Sequence, residues 1–358
     1  MHVFFDPQGR PFLLGRQMRW ELEPNAFLAR LSIVSGKTSS PKTWRSYAYQ
    51  FADWLSFCER TGLDWRRATE LNIATYRNIL ASESSPQTGR PLTRSTINHK
   101  LTVICQFYRF ARKKGWIDAL PFELETTRLP HRSEVNLDPG AEANHGSLGR
   151  ITLKLTEGKE ELEIPPRREV RRFVRSFRTW RDRLIAEVMW LTGMRCAEVC
   201  WLPLISLPDD PGSLRKETVV MKIKGKRNKW RPIPFPMRLL RSIDRYIHME
   251  RRRHMSASTV SPGTVFLGRG GKPLQTSAST NWKRTGLKIT PHHLRHCYAV
   301  ERLAYLQDIG APDPLKTLQI ELGHAHLTTT ERYLHVTERM RGDVIEIHNS
   351  FVDRLLEG

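Results

Sequence analysis

The chain has 358 residues, enough for one large core and more comfortably for two domains. Its 39% hydrophobic content excludes a disordered chain, and the lack of any apolar run of bilayer length excludes a helical membrane protein. Lysine and arginine number 58 against 37 acidic residues, a net charge of +21, which favours nucleic acid over acidic metabolites as the partner.

Residues 1–39 carry Pro7, Gly9, Pro11, Gly15 and Gly36 and are predicted to be an irregular leader. A helical domain is expected over 40–122. Ser40 and Pro41 open its first helix, along which Tyr47, Phe51, Trp54, Leu55 and Cys58 recur at helical spacing, and Gly62 closes it. Ile73, Tyr76, Ile79 and Leu80 mark a second helix. A third, from about Thr93, presents Ile97, Leu101, Ile104, Phe107, Tyr108 and Ala111 on one face and ends in Arg112-Lys-Lys-Gly115. Lys42, Arg45, Arg94, Lys100 and Lys113 are its candidate DNA contacts; the competing reading is an ordinary solvated surface.

Residues 123–166 have linker composition, with an alternating stretch (Ile151, Leu153, Leu155, then Leu162 and Ile164) that predicts a short β-hairpin insert. A further α-rich domain is expected over 167–340. Its first helix is predicted to carry one apolar stripe from Val170 to Val188, with Arg171 and Arg175 among an arginine-dominated remainder suited to phosphate. Val219, Met221 and Ile223, a turn at Gly225-Lys-Arg-Asn228, and Trp230 to Phe235 predict a two-stranded sheet, with Arg227 and Lys229 near its tip as DNA contacts. Helices are expected around 237–253, 293–307, 314–322 and 328–333. An amphipathic tail, 341–358, carries Val344, Ile347, Phe351 and Leu355. The fold class expected is mainly α with a small β-sheet.

Five cysteines, few and odd in number, fit free thiols in a reducing compartment. Cys196 and Cys200 fit core packing, since no two further zinc ligands stand at zinc-site spacing. The N-terminus lacks a signal-peptide layout, so a soluble protein of the cytoplasm, associated with the nucleoid, is expected.

Three blocks carry chemistry: Thr192-Gly-Met-Arg-Cys-Ala-Glu198, Pro291-His-His-Leu-Arg-His296, and Leu322-Gly-His324 followed nine residues on by Tyr333. Attack on a phosphodiester by a side chain builds negative charge on the non-bridging oxygens, which guanidinium and imidazole donors can stabilise without a metal. Arg195 follows a chain break at Gly193; His292 and Arg295, three apart, share a helix face; Lys226 sits at a hairpin tip, where it can protonate a leaving oxygen. Singly these signals are poor, because a tyrosine near a helix end is far more often a surface residue than a nucleophile.

In this order the blocks, with Gly225-Lys-Arg-Asn-Lys-Trp-Arg231, resemble the tyrosine recombinase (phage integrase) family, strongly over 165–340 and weakly over 40–117. The resemblance implies a SAM-like core-binding domain followed by a catalytic domain. Tyr333 would be the nucleophile forming a 3′-phosphotyrosine link, with Arg195 and Arg295 clamping the phosphate. His292 and His324 would bond its oxygens or help move the tyrosine proton. Lys226 would be the general acid, with Lys229 as fallback, and Glu198 and His296 would orient their neighbours. His293 competes with His292 for the motif position, and spacing to Arg295 favours His292. No metal or cofactor is implied. The partners implied are double-stranded recombination sites and further copies of the chain in a tetramer, compatible with accessory DNA-bending or directionality proteins. Linker and basicity lean toward a mobile-element integrase or transposase over a chromosome-dimer resolvase. A type IB topoisomerase shares the chemistry, and a non-catalytic DNA-binding regulator is the alternative of another class.

Overall fold

The computed structural model describes residues 1–34, 40–85, 89–125, 150–151, 153–156, 158, 162–225, 229–255, 262–275, 282 and 286–340. The predicted tail lies outside the described residues, as do Lys226 and Arg227. The chain divides into two compact units, Met1–Lys159 and Glu160–Gly358. Both are mainly helical, with three two-stranded antiparallel sheets among the described residues. None of the described helices is long and apolar enough to cross a membrane.

The first unit corrects the expectation of an irregular leader. Strands β1 (His2–Phe5) and β2 (Pro11–Leu14) pair as a hairpin, and α1 (Leu22–Ala29) follows. Leu13, Phe27 and Leu28 are buried in the unit's core, and Asn25 closes the fold by exchanging two hydrogen bonds with the Leu13 backbone. Pro7 and Gly9 form the turn between the two strands, and Gly15 follows the second. Helix α2 (Pro41–Thr61) starts after Ser40 and stops at Gly62, whose φ of 69° forms a left-handed cap. Helix α3 (Glu70–Ser82) is opened by a Thr69–Asn72 capping box, and α4 (Arg94–Lys113) by Thr93. Their apolar faces meet around Trp54, Tyr76, Phe107 and Tyr108.

The predicted hairpin insert is also corrected. Strand β4 (Arg150–Ile151) pairs with β3 (Leu124–Glu125), and the described residues of 153–156 and 162–166 are not strand. Leu153 is buried against the helices, and the Asn98 side chain takes both backbone bonds of Leu155. The alternating leucines therefore serve docking onto α4.

In the second unit the expected single helix over the 170–188 stripe is two. Helix α5 (Arg167–Arg175) ends, and α6 (Trp180–Thr192) restarts where the Thr179 side chain accepts from the Asp182 N–H. Helix α7 (Cys196–Cys200) comes next, with the Cys196 and Cys200 sulfurs 3.9 Å apart. Strands β5 (Thr218–Lys224) and β6 (Trp230–Pro236) pair in register from Thr218↔Pro236 to Lys224↔Trp230. Helix α8 (Met237–Tyr246) runs through a π-helical turn, Ile247–Arg251, into α9 (Arg252–His254). Helices α10 (Pro291–Asp308), α11 (Pro314–Leu322) and α12 (Thr328–Met340) complete the unit. Helix α12 is longer than expected, so Tyr333 lies inside it, not at its end.

Candidate active site

Four breaks in the second unit aim the charged side chains. Gly193 ends α6 in a left-handed conformation, φ 64°, where a Cβ would stand 2.3 Å from the Tyr298 ring, so only glycine fits. Two residues later Arg195 is the N-cap of α7. Thr290 caps α10, and its backbone N–H is taken by the His293 ring, which occupies His293 in the cap; His292 beside it is exposed. Gly323, φ 65°, ends α11 and turns the chain into His324.

Arg295 is 4% exposed, its guanidinium held by the Gly193 and Leu322 carbonyls at 2.6 Å each, with Nη2 3.2 Å from His324 Nε2. Because an arginine only donates, His324 Nε2 must accept there, which puts the ring proton on Nδ1, facing the Thr330 hydroxyl at 3.0 Å. Arg195 reaches the Gly323 carbonyl at 3.3 Å and Glu198 at 3.0 Å. Tyr333 is 3% exposed; its hydroxyl is 2.9 Å from His296 Nδ1, and its ring lies parallel to that of His324, centroids 6.3 Å apart. Residues at the start of α7, in α10, just past α11 and in α12 thus come together, the Tyr333–His296 pair meeting the arginine group through the His324 ring.

The electrostatics follow from burial inside a cationic cage. Burial, then repulsion from Arg195, brings Arg295 down to about 9, still cationic at neutral pH. Burial followed by Arg295 and Arg195 pushes His324 down to about 3, and burial with His292 and Arg332 pushes His296 down to about 4. His292, exposed on one side only, is lowered by the desolvation of the part of its ring that faces the site and then by Arg295. All three rings are neutral hydrogen-bonding groups at pH 7. Burial raises Tyr333 despite the pull of Arg295, Arg332 and Arg195, so the phenol is protonated in the free protein.

Three observations go beyond the sequence expectations. His296, expected to orient its neighbours, touches the Tyr333 hydroxyl itself. Arg231, 6% exposed, grips both Glu198 oxygens at 2.9 and 2.6 Å and the Glu321 carbonyl at 2.8 Å, so β6 and α7 are locked beside Arg195. Its signal was available, since it closes the Gly225–Arg231 motif. Thr330, fully buried, accepts the Nδ1 proton that Arg295 forces on His324, and nothing in a run of three threonines singles it out. Burial would raise the Glu198 carboxyl, but the bonds and charge of Arg231, then those of Arg195, leave it lowered.

Of the expected DNA contacts, Lys42, Lys113, Arg171, Arg175 and Lys229 are exposed. Arg94 is tied to the Thr156 carbonyl and Arg45 lies over the Phe5 ring. Lys100 is half-buried in an ion pair with Asp53, whose carboxylate also accepts from Tyr76. Among the described residues no group of three or more His, Cys, Asp or Glu is placed to hold a metal.

The sequence matches the model of the phage integrase family over residues 166–340 and that of the phage integrase N-terminal SAM-like domain over 25–115. Tyrosine recombinase XerC of Lacticaseibacillus casei is 28% identical over 308 residues, covering 83% of this chain and 89% of that protein. The fold is similar to that of XerH site-specific recombinase bound to its difH substrate, with a TM-score of 0.57 at 16% identity over 84% of this chain and 78% of that one. It is also similar to the Tn1549 transposon integrase in complex with transposon right end DNA, with a TM-score of 0.58 at 14% identity over 93% and 99%. With both matched regions spanning most of its length, the chain belongs to the phage integrase family of tyrosine recombinases, enzymes that cut and rejoin DNA.

Proposed function

We propose that the protein is a site-specific recombinase whose nucleophile is Tyr333. The observation that carries this is the convergence of Arg195, Arg295, His324 and Tyr333 from separate stretches of sequence: Arg195 bonds the carbonyl next to His324, Arg295 bonds His324, and the His324 ring lies parallel to that of Tyr333. Arg195 and Arg295 clamp the scissile phosphate and His292 bonds its oxygens, while His324, whose two nitrogens are engaged by Arg295 and Thr330, holds the Arg295 guanidinium in place. The Tyr333 oxygen attacks phosphorus, forming a 3′-phosphotyrosine and breaking the bond to the 5′ oxygen, which leaves as a hydroxyl by taking a proton from Lys226 or Lys229. The test is a nicked suicide substrate. Wild type should become covalently joined to the 3′ end, whereas Tyr333→Phe should bind the same DNA and form no adduct. An adduct with Tyr333→Phe rejects the assignment. Relaxation of plasmid that lacks any specific site would mark a topoisomerase instead.

Strand exchange cuts four strands in pairs, which calls for a tetramer on synapsed DNA. The tail, residues 341–358, is our candidate for docking onto a neighbour. Deleting 342–358 should abolish synapsis and spare single-site binding, and unchanged synapsis refutes this. We assign the enzyme to the cytoplasm, acting on nucleoid DNA, in integration, excision or transposition of a mobile element. The relatives named XerC favour a second reading, chromosome-dimer resolution. Sequencing the DNA trapped on the protein separates the two: element ends support the first, a single chromosomal site the second.

A further inference from the structure

We infer that His296 receives the Tyr333 proton during strand cleavage, an assignment that rests on Tyr333 being the nucleophile. Of the histidines near the phenol, His296 is the one whose ring nitrogen meets the hydroxyl, Nδ1 to Oη at 2.9 Å. His324 approaches Tyr333 ring to ring, and both of its nitrogens are engaged, one by Thr330 and one by Arg295. His292 lies one helical turn from His296 on α10, with ring centroids 6.3 Å apart, on the exposed side of the site. The helix therefore offers one imidazole to the substrate and a second, deeper one to the nucleophile.

The titratable and charged groups around His296 are His292, His293 and Arg295 from its own helix, His324 just past α11, and Arg332 and Tyr333 from α12. Apart from the phenol, these neighbours are basic and, together with burial, they keep the ring neutral, so a nitrogen lone pair is available to the phenol. With Nδ1 accepting, the ring proton sits on Nε2. In the step itself the Tyr333 Oη–H bond breaks and its proton passes to His296 Nδ1 as Oη bonds phosphorus and the bond from phosphorus to the 5′ oxygen breaks. The imidazolium then carries two protons, and its charge is offset by the phosphate that has entered the cage. The leaving oxygen takes its proton from a different group, Lys226 or Lys229 in the reading above. On religation His296 returns its proton to the departing tyrosine oxygen.

The test is single-turnover cleavage of a suicide substrate by His296→Asn, whose amide can hydrogen-bond near the Nδ1 position but cannot take a proton. Adduct formation should slow by about 100- to 10,000-fold with DNA binding retained. A substrate with sulfur in place of the 5′ bridging oxygen needs no proton on its leaving group. It should rescue Lys226→Ala and leave His296→Asn slow; rescue of His296→Asn, or a wild-type rate in that variant, overturns the inference. Tyr333→Phe, run alongside, reports separately on the nucleophile: an adduct there rejects Tyr333 itself, while its absence with fast His296→Asn cleavage rejects only the role of His296. Nitrogen-15 spectra of histidine-labelled wild-type protein supply a measurement that needs no variant. His296 should carry its proton on Nε2, and a proton on Nδ1 refutes the assignment.

Discussion

Replacing Arg231 with methionine should damage stability and catalysis together. Three donors are lost at once: those to the two Glu198 oxygens and that to the Glu321 carbonyl. The Glu198 carboxylate, buried like its partner, keeps only Arg195, and the charge that offset its burial is halved. Removing one member of a buried ion pair costs roughly 3–5 kcal/mol, because the remaining charge is left under-compensated out of water. For a unit of about 200 residues that is a fall in Tm of roughly 6–20 °C. The catalytic loss comes through Arg195, whose guanidinium is held at 3.0 Å by the same carboxylate; a displacement of about 1 Å at such a site costs roughly 100-fold in rate. Arg231→Lys restores a charge but not the two-pronged grip, and should fall between wild type and methionine. Calorimetry of the full chain and single-turnover adduct formation measure both effects. A methionine variant melting within about 2 °C of wild type and cleaving normally would show that this network holds neither the fold nor Arg195.

Two further perturbations test the local geometry and the electrostatics. Gly193→Ala forces a left-handed alanine whose Cβ meets the Tyr298 ring at 2.3 Å, and should cost on the order of 2–5 kcal/mol in denaturant titration. Gly310→Ala, with φ 65° and nothing within 4 Å, should cost only about 1–2 kcal/mol; equal losses at the two positions would refute the steric argument. The depressed histidines give stability a pH slope. His324, brought to about 3, and His296, brought to about 4, stay neutral in the fold, while the unfolded chain protonates near pH 6.5. Their contribution is complete above about pH 6.5 and is lost as pH falls, down to about 4 for His296 and about 3 for His324, on the order of 1–2 kcal/mol per ring by pH 5. Urea denaturation at pH 7 and pH 5 measures it, and His324→Gln should flatten the slope; stability rising on acidification would contradict the assignment.

The helices over 41–61, 94–113 and 314–322 and the strand pair over 218–236 were legible because their signals are local. A cap residue, a left-handed glycine and an apolar period each act within a few positions. The ordered N-terminal hairpin and α1 were not legible, since Leu13, Phe27 and Leu28 show their purpose only against a core built from α2 and α4. The same holds for Leu153 and Leu155, whose alternation suits a strand but whose partners are Asn98 and the helical core. Lys100 looked like any other basic residue on an amphipathic helix until Asp53 appeared beside it.

At the site, the order and spacing of Arg195, His292, Arg295, His324 and Tyr333 carried the resemblance to the tyrosine recombinase family, and each residue type suits what a phosphoryl transfer demands. Which nitrogen meets which oxygen was decided by packing. The Arg195–Gly323 bond joins positions 128 apart and the Arg295–Gly193 bond positions 102 apart. Contacts of that range depend on how helices stack around Tyr298 and Leu322, not on propensity or period. Only there does His296 come to face the phenol, Arg295 fix the His324 tautomer, and Arg231 bind Glu198.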